Sequence, residues 1–304
     1  MTGTSFPARI TPWHRGQRGS SVSPVEGHLL TKDTTHGSND ISFTGSIPAA
    51  YEQYLVPFLF SPYAKIIAAS VASLSPARVL ETAAGTGVVT RELARALPRT
   101  TSITATDINE AMIAVALTLP AADDVEWQVS DAALLPFGDD EFDVVVCQFG
   151  VMFFPDKHAA FHEAGRVLRQ GGALVFLVWD SLEHNATTRI AGDAFNAHFP
   201  DNPGTFLRRI PFGYYDVDEI TSQLQAAGFA QVATERVSLE AHAPAALDVA
   251  RGLCQGTPMR GEITQRDPEA LEAVTASVAE ALAREFGRGE LTDTLSAILV
   301  TARN

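Results

Sequence analysis

Residues 79–90 constrain the fold of this chain more than any other segment. Their sequence, VLETAAGTGVVT, begins as an apolar run, ends in an acid and turns through Gly85 and Gly87 into a helical pattern. A strand end, a tight glycine turn and a helix N-terminus present unpaired backbone N–H groups and let a ligand approach the main chain closely. The segment therefore predicts an α/β fold with a ligand at this turn.

Two ligands compete for the turn. The pattern G-x-G-x-x-T is close to the dinucleotide fingerprint G-x-G-x-x-G/A, but Thr90 stands where that fingerprint has a small residue. Glu81, at the strand tip, would repel a pyrophosphate and would suit the cationic amine and sulfonium of S-adenosylmethionine. The acid favours S-adenosylmethionine over NAD.

Further acids follow the next two predicted strands. Asp107 lies about 20 residues beyond the turn, where a carboxylate accepts the ribose hydroxyls of either cofactor. Asp131 is placed to accept a hydrogen bond from an adenine amine, and Ile108 could pack on the adenine face. Ligands of an open parallel sheet bind at the carboxyl ends of its strands, where Glu81 and Gln148 also fall.

The rest of the chain reads as one domain with additions. Residues 1–44 are rich in Gly, Ser, Thr and Pro and predict a flexible tail, followed by a single domain over 45–304. Residues 51–73 predict two short capping helices interrupted by prolines, and about 241–290 predict an alanine-rich helical insertion or lid. Continuous apolar runs predict strands of a parallel sheet at 77–82, 102–107, 125–130, 142–148 and 172–179, and two further strands are predicted at 229–239 and 291–302.

At the glycine turn and the acids Glu81, Asp107 and Asp131, the chain resembles the class I S-adenosylmethionine-dependent methyltransferases. Within them it is similar to the branch of the ubiquinone and menaquinone biosynthesis methyltransferases. The resemblance also rests on LPF at 135–137, DEFDVVVCQF at 140–149, FFPD at 153–156 and GGAL at 171–174. The family usually has Asp in place of Glu81. It implies a doubly wound, Rossmann-like, seven-stranded sheet, mostly parallel with an antiparallel last strand, with capping helices and a helical insertion before that strand.

The resemblance also implies the cofactor and its contacts. S-adenosylmethionine is expected to bind at Tyr54, Glu81, Ala83, Gly85, Gly87, Asp107, Ile108, Asp131, Ala132 and Gln148. Tyr51 and Tyr54, three residues apart on a predicted helix, either cap the cofactor or are core residues.

The implied reaction is an SN2 displacement in which a small-molecule acceptor takes the sulfonium methyl group. Alignment of the reactants is the main task of such a protein. His184, in the loop after the fifth strand, is the candidate general base. His158 and His162 share a helix face, but no third ligand follows nearby, so no metal is predicted.

Composition restricts the partners. A net charge of −14 without a basic run disfavours nucleic acid. No apolar run is expected to span a membrane and no secretory signal is seen, so a cytoplasmic location is predicted. Aromatic residues in the post-strand loop indicate an apolar or aromatic acceptor, or only lid packing: Phe195, Phe199, Phe206, Phe212, Tyr214 and Tyr215. The methylated atom (carbon, oxygen or nitrogen) and the oligomeric state stay open. The alternatives are an NAD(P)-dependent oxidoreductase and a protein of this fold that binds the cofactor without methyl transfer.

Overall fold

The computed structural model describes residues 43–120 and 125–304. The predicted flexible tail lies outside the described residues except for Phe43 and Thr44, and it stays a prediction.

One seven-stranded sheet forms the centre of the fold, in the order β3-β2-β1-β4-β5-β7-β6. The pairs among β1 to β5 are parallel, whereas β7 is antiparallel to both β5 and β6. The predicted fold class is therefore confirmed, including the antiparallel last strand. The strands are β1 Arg78–Glu81, β2 Ser102–Asp107, β3 Val125–Val129, β4 Phe142–Gln148, β5 Leu168–Trp179, β6 Gln231–Ala243 and β7 Leu291–Arg303.

Helices cover the sheet and extend over its carboxyl edge. The first, α1, spans Ile47–Ser73. The others are α2 Val88–Ala96, α3 Glu110–Ala116, α4 Lys157–Val167, α5 Ala186–His198, α6 Phe206–Arg209, α7 Val217–Ala226, α8 Ala246–Gln255, α9 Met259–Arg266 and α10 Leu271–Phe286. The insertion predicted over 241–290 is thus α8 to α10, and β6 continues to Ala243 because its last residues pair with the start of β7.

Helix α1 is continuous, so the prediction of two short helices is wrong. Its middle, Tyr51–Phe60, is a π-helix that contains Pro57, and Pro62 falls in the first turn of the α-helical segment that follows. Inside a helix each proline removes one backbone hydrogen bond and favours irregular winding at that point. A π-helix bonds i to i+5 and accommodates an irregular stretch inside a longer helix.

The length of α1 also corrects the expectation about apolar segments. By length and composition alone it could cross a membrane, whereas the sequence was expected to hold no such segment. In the fold, 56% of its most apolar window is buried. Its Tyr63 is completely buried and donates a hydrogen bond of 2.8 Å to the Leu295 carbonyl on β7. This is the placement of a core helix.

Strand register brings the predicted site residues to one edge. Glu81 ends β1 beside Ala105 of β2 and Val146 of β4. Asp107 ends β2 and Gln148 ends β4 at the same side of the sheet. The parallel strands therefore bring these side chains to one edge of the sheet, near helices α5, α6 and α8, which we call the lid helices.

Candidate functional site

A cavity of about 230 Å³ opens at this edge. We call its two parts the turn end and the lid end, with Phe43 and Tyr51 between them. The turn end is lined by Ala83, Gly85, Asp107, Ile108, Asn109, Met112, Ser130, Asp131, Ala132 and Gln148. The lid end is lined by Leu55, Leu59, Phe60, Phe149, Gly150, Phe153, Phe154, Pro155, Trp179, Thr188, Phe206, Leu207, Pro211, Phe212, Leu253 and Thr257.

The glycine turn is wound through left-handed backbone conformations. Ala83, Gly85 and Gly87 have φ values of 51°, 57° and 81°. A side chain at Gly87 would come within 2.7 Å of the Trp127 ring, so that position requires glycine for space as well as for conformation. Gly87 consequently lies beneath the turn against Trp127 and does not line the cavity, in contrast to Gly85.

The Asp107 carboxylate is fixed by hydrogen bonds from two backbone N–H groups. One carboxylate oxygen accepts the Gly85 N–H at 2.8 Å and the other accepts the Asn109 N–H at 2.8 Å. The side chain is 6% exposed and lines the cavity, and burial raises its pKa despite these hydrogen bonds. A carboxylate oxygen accepts more than one hydrogen bond, so both oxygens retain capacity for a ligand.

The neighbouring strand tips form an open shelf. Ile108 is 49% exposed although it is apolar, and it lines the turn end together with Asp131 and Ala132. Asp131 accepts the Ala133 N–H at 2.9 Å, which orients its carboxylate. These three side chains line the same end of the cavity as Asp107.

Glu81 ends β1 as predicted, but its side chain does not reach the cavity. It is 2% exposed and is not part of the cavity lining. Its Oε2 accepts a hydrogen bond of 2.6 Å from the Thr90 hydroxyl, and burial raises its pKa to about 8. Thr90, read from the sequence only as a mismatch to a fingerprint, is thus the partner of this acid.

Tyr54 does not line the cavity, and Tyr51 does. Tyr54 is half-buried against α8, where its Cβ lies 3.2 Å from the position of a Cβ at Gly252. The π-helical winding is the reason, because it brings residues four or five apart onto one face. Tyr51, Leu55, Leu59 and Phe60 follow that spacing.

Gln148 reaches the cavity at the tip of β4. Its amide nitrogen donates to the Phe60 carbonyl at 3.2 Å, while its Oε1 is buried without a hydrogen-bond partner among the described residues. Phe149 follows with a φ of 53°, and a side chain at Gly150 would come within 2.5 Å of Ala83. Sequence reasoning missed Phe149 and Gly150, although their place directly after a strand tip was a signal.

His184 is not at the cavity. It ends a short 3-10 helix, Leu182–His184, and its side chain is 55% exposed. Its Nδ1 lies 3.2 Å from Asp180 and 3.1 Å from the Ser181 hydroxyl. The prediction that His184 is a general base is therefore corrected. The turn directs its ring towards the surface, and its contact with the buried Asp180 keeps it there.

Of the aromatic residues that follow β5, only some line the cavity. Phe206 and Phe212 line the lid end, but Phe195, Phe199, Tyr214 and Tyr215 do not. Thr188, Leu207 and Leu253 also line it and were missed, because no local pattern shows which face of a lid helix turns inward. Among residues 43–120 and 125–304, no group of three or more His, Cys, Asp or Glu side chains is placed to hold a metal ion.

Comparisons with known proteins agree with this geometry. A family model described as a methyltransferase domain matches residues 80–176. The ubiquinone/menaquinone biosynthesis C-methyltransferase UbiE of Saccharophagus degradans is 30% identical over 168 residues, which are 51% of this chain and 67% of that protein.

Solved structures share the fold. A Haemonchus contortus phosphoethanolamine N-methyltransferase 2 in complex with S-adenosyl-L-methionine matches 86% of this chain and 57% of its own, with a TM-score of 0.53 and 16% identity. The [4+2]-cyclase SpnF matches 80% of each chain, with a TM-score of 0.51 and 19% identity. On the matched domain, the relatives and the sheet topology, the chain belongs to the class I S-adenosylmethionine-dependent methyltransferases.

Proposed function

We propose that the turn end binds the adenosine part of S-adenosylmethionine. Asp107 would accept the ribose hydroxyls with the capacity that Gly85 and Asn109 leave free. Ile108 would pack on the adenine, with Asp131 and Ala132 at its polar edge. The exposed Ile108 supports this assignment, because an apolar side chain on an otherwise polar shelf gains by covering a ring.

The cationic part of the cofactor would lie nearer β4. The unpartnered Oε1 of Gln148 is a buried acceptor that fits an ammonium group. The Tyr51 hydroxyl lies over the turn, 3.9 Å from the position of a Cβ at Gly85. Glu81, beneath the turn, would act as a charge at short range rather than as a direct ligand. S-adenosylmethionine supplies a methyl group already activated on a positively charged sulfur.

The acceptor would occupy the lid end, and we infer that it is a small, apolar or aromatic molecule. Aliphatic and aromatic side chains form most of this end. The helices around this end would shield the acceptor from water, and the protein's contribution to the reaction would be alignment of the two reactants. The named role of the UbiE relatives in ubiquinone and menaquinone biosynthesis is in line with such an acceptor. A single cavity that joins an acid-lined turn end to an apolar lid end carries the proposal.

Isothermal titration with S-adenosylhomocysteine tests the cofactor site. The variant Asp107→Asn keeps the shape of the side chain and should bind at least about 10-fold more weakly, because hydrogen bonds to a charged group are lost. Asp201→Ala, at an exposed acid, is the control and should bind like the wild type. Absence of binding at high micromolar concentration would contradict the proposal.

Turnover tests the reaction itself. With S-adenosylmethionine and a panel of phenols, aromatic amines and enols, mass spectrometry should detect S-adenosylhomocysteine and a methylated product. Tight cofactor binding without methyl transfer to any acceptor would instead favour the noncatalytic alternative.

A further inference from the structure

The lid end holds no ionisable side chain. All of its lining residues among the described ranges are apolar, aromatic, glycine or proline, except Thr188 and Thr257, and Trp179 adds an indole N–H. A charged group placed there would lose its hydration without gaining a counter-charge, which is strongly unfavourable. This absence of counter-charges restricts the chemistry of whatever binds.

Two polar groups at the lid end have no partner. Thr257 is occupied, since its hydroxyl donates to the Leu253 carbonyl at 2.7 Å and accepts the Met259 N–H. Thr188 is 1% exposed and Trp179 is 3% exposed, and neither the Thr188 hydroxyl nor the Trp179 indole N–H is hydrogen-bonded to any described residue. Both side chains line the cavity, so their unpaired polar groups are available to a ligand bound there.

The position of the Trp179 ring is fixed by its neighbours. Phe149 stacks on the ring with centroids 3.9 Å apart and an angle of 8°, and Phe212 stacks with centroids 5.8 Å apart and an angle of 20°. Tyr63 packs edge-on at 5.5 Å. These contacts fix the ring where it lines the cavity, and the indole N–H is its only polar group.

We propose that Thr188 and Trp179 bind one oxygen-bearing group, a hydroxyl or a carbonyl, of an acceptor that is otherwise apolar and carries no charge at neutral pH. This inference rests on the proposed function and specifies its acceptor. Trp179 donates, whereas Thr188 both donates and accepts, so the pair suits one oxygen atom. The two residues approach from different elements, the tip of β5 and the start of α5, and so define the position of that oxygen in the cavity.

Four naphthalenes test the ligand class, each titrated into protein saturated with S-adenosylhomocysteine. The probes are naphthalene, 1-naphthol, 1-naphthoate and 1-naphthylmethylammonium, which share one ring system. We expect 1-naphthol to bind at least about 3-fold more tightly than naphthalene, because it adds a hydrogen bond. Both charged probes should bind at least about 10-fold more weakly than 1-naphthol, because neither finds a counter-charge.

Three variants test the residues. Thr188→Val and Trp179→Phe keep most of the volume and remove the polar group, and each should weaken 1-naphthol binding about 3–10-fold while naphthalene changes less than about twofold. Thr188→Ser retains the hydroxyl and should therefore keep the preference for 1-naphthol over naphthalene that Thr188→Val loses. All three should bind S-adenosylhomocysteine like the wild type, which excludes a general loss of structure.

The outcomes separate the two proposals. Equal binding of 1-naphthol and naphthalene, tight binding of a charged probe, or unchanged discrimination in both Thr188→Val and Trp179→Phe would overturn the inference. If S-adenosylhomocysteine binds and no naphthalene does, the inference is wrong and the cofactor site stands. If S-adenosylhomocysteine itself does not bind, the proposed function is wrong and the inference falls with it.

Discussion

At the residue scale, Glu81 shows how a side chain can contribute a charge without touching the cavity. Its carboxyl is buried beneath the glycine turn and held by Thr90. Burial raises the pKa to about 8, whereas the Thr90 hydrogen bond and the nearby Arg91 lower it. The free protein therefore keeps this acid largely protonated at neutral pH, and a cation bound above it would favour ionisation.

The raised pKa predicts a pH-dependent effect of Glu81→Gln on the free protein. The pKa rises from an ordinary value of 4.5 to about 8, so between these values the unfolded chain is ionised while the folded protein keeps the proton. Stability is thus lost as the pH rises through this window and stays lost above it. Glu81→Gln, which never ionises, should exceed the wild type in Tm by roughly 3–10 °C at pH 8.5.

Thermal unfolding followed by circular dichroism, without cofactor, measures this difference. At pH 4.5 the two proteins should melt together, since Glu81 is protonated in the folded state and the penalty is absent. A Tm difference that is the same at both pH values would contradict the assignment of a buried, proton-retaining carboxyl.

A comparison of two glycines distinguishes the cost of a strained backbone from the cost of a steric clash. Gly87 and Gly171 both have left-handed φ values, of 81° and 77°. A Cβ at Gly87 would lie 2.7 Å from Trp127, whereas a Cβ at Gly171 meets nothing within 4 Å. Gly171→Ala should cost about 1–2 kcal/mol of unfolding free energy from strain alone.

Gly87→Ala should cost more than Gly171→Ala, because the ring must also move, by about 1–3 kcal/mol more. Urea unfolding of both variants measures the difference. Weaker binding of S-adenosylhomocysteine is expected only for Gly87→Ala, since Gly171 lies in β5 far from the cavity lining. Equal free energies for the two variants would show that Trp127 does not restrict this position.

At the element scale, the winding of α1 decides which tyrosine reaches the cavity. Tyr51→Phe should weaken S-adenosylhomocysteine binding about 2–10-fold, because its hydroxyl lies over the turn and is lost. Tyr54→Phe is the matched control and should bind like the wild type, since Tyr54 lies against α8. Isothermal titration of both measures this, and a larger effect of Tyr54→Phe would contradict the π-helical register.

The same elements show what could be predicted from the sequence. Strands such as β2 and β4 were placed at their observed limits because a strand buried on both faces is a continuous apolar run. The π segment was not predicted, because its backbone pattern depends on the sheet and on α8 packed around it. The direction of His184 was missed for a similar reason: a partner remote in sequence, Ser296, helps to fix Asp180, which holds the ring.

At the scale of the whole molecule, the cavity is assembled from segments far apart in the chain. Its turn end follows from strand tips, whose order is dictated by the parallel sheet, and so most of its residues were predicted from the sequence. Its lid end combines α1, the β5 tip, and helices α5, α6 and α8, from Leu55 to Thr257. Which faces of these helices meet is set by their mutual packing, which no local pattern in the sequence records.

Because the cavity joins these distant segments, ligand binding should stabilise the molecule unevenly. S-adenosylhomocysteine at about 100 times its Kd should raise the free energy of unfolding by about 2.7 kcal/mol. Hydrogen exchange should slow most in Tyr51–Phe60 and around the Gly85 turn, which border the ligand. The edge strand β6, at the end of the sheet beyond β7 and absent from the cavity lining, should exchange as in the free protein. Asp107→Asn, if its Kd is about 10-fold higher, should gain only about 1.4 kcal/mol at the same ligand concentration and should show correspondingly weaker protection. Protection confined to β6 and β7, or spread evenly over the sheet, would place the ligand elsewhere than at the turn.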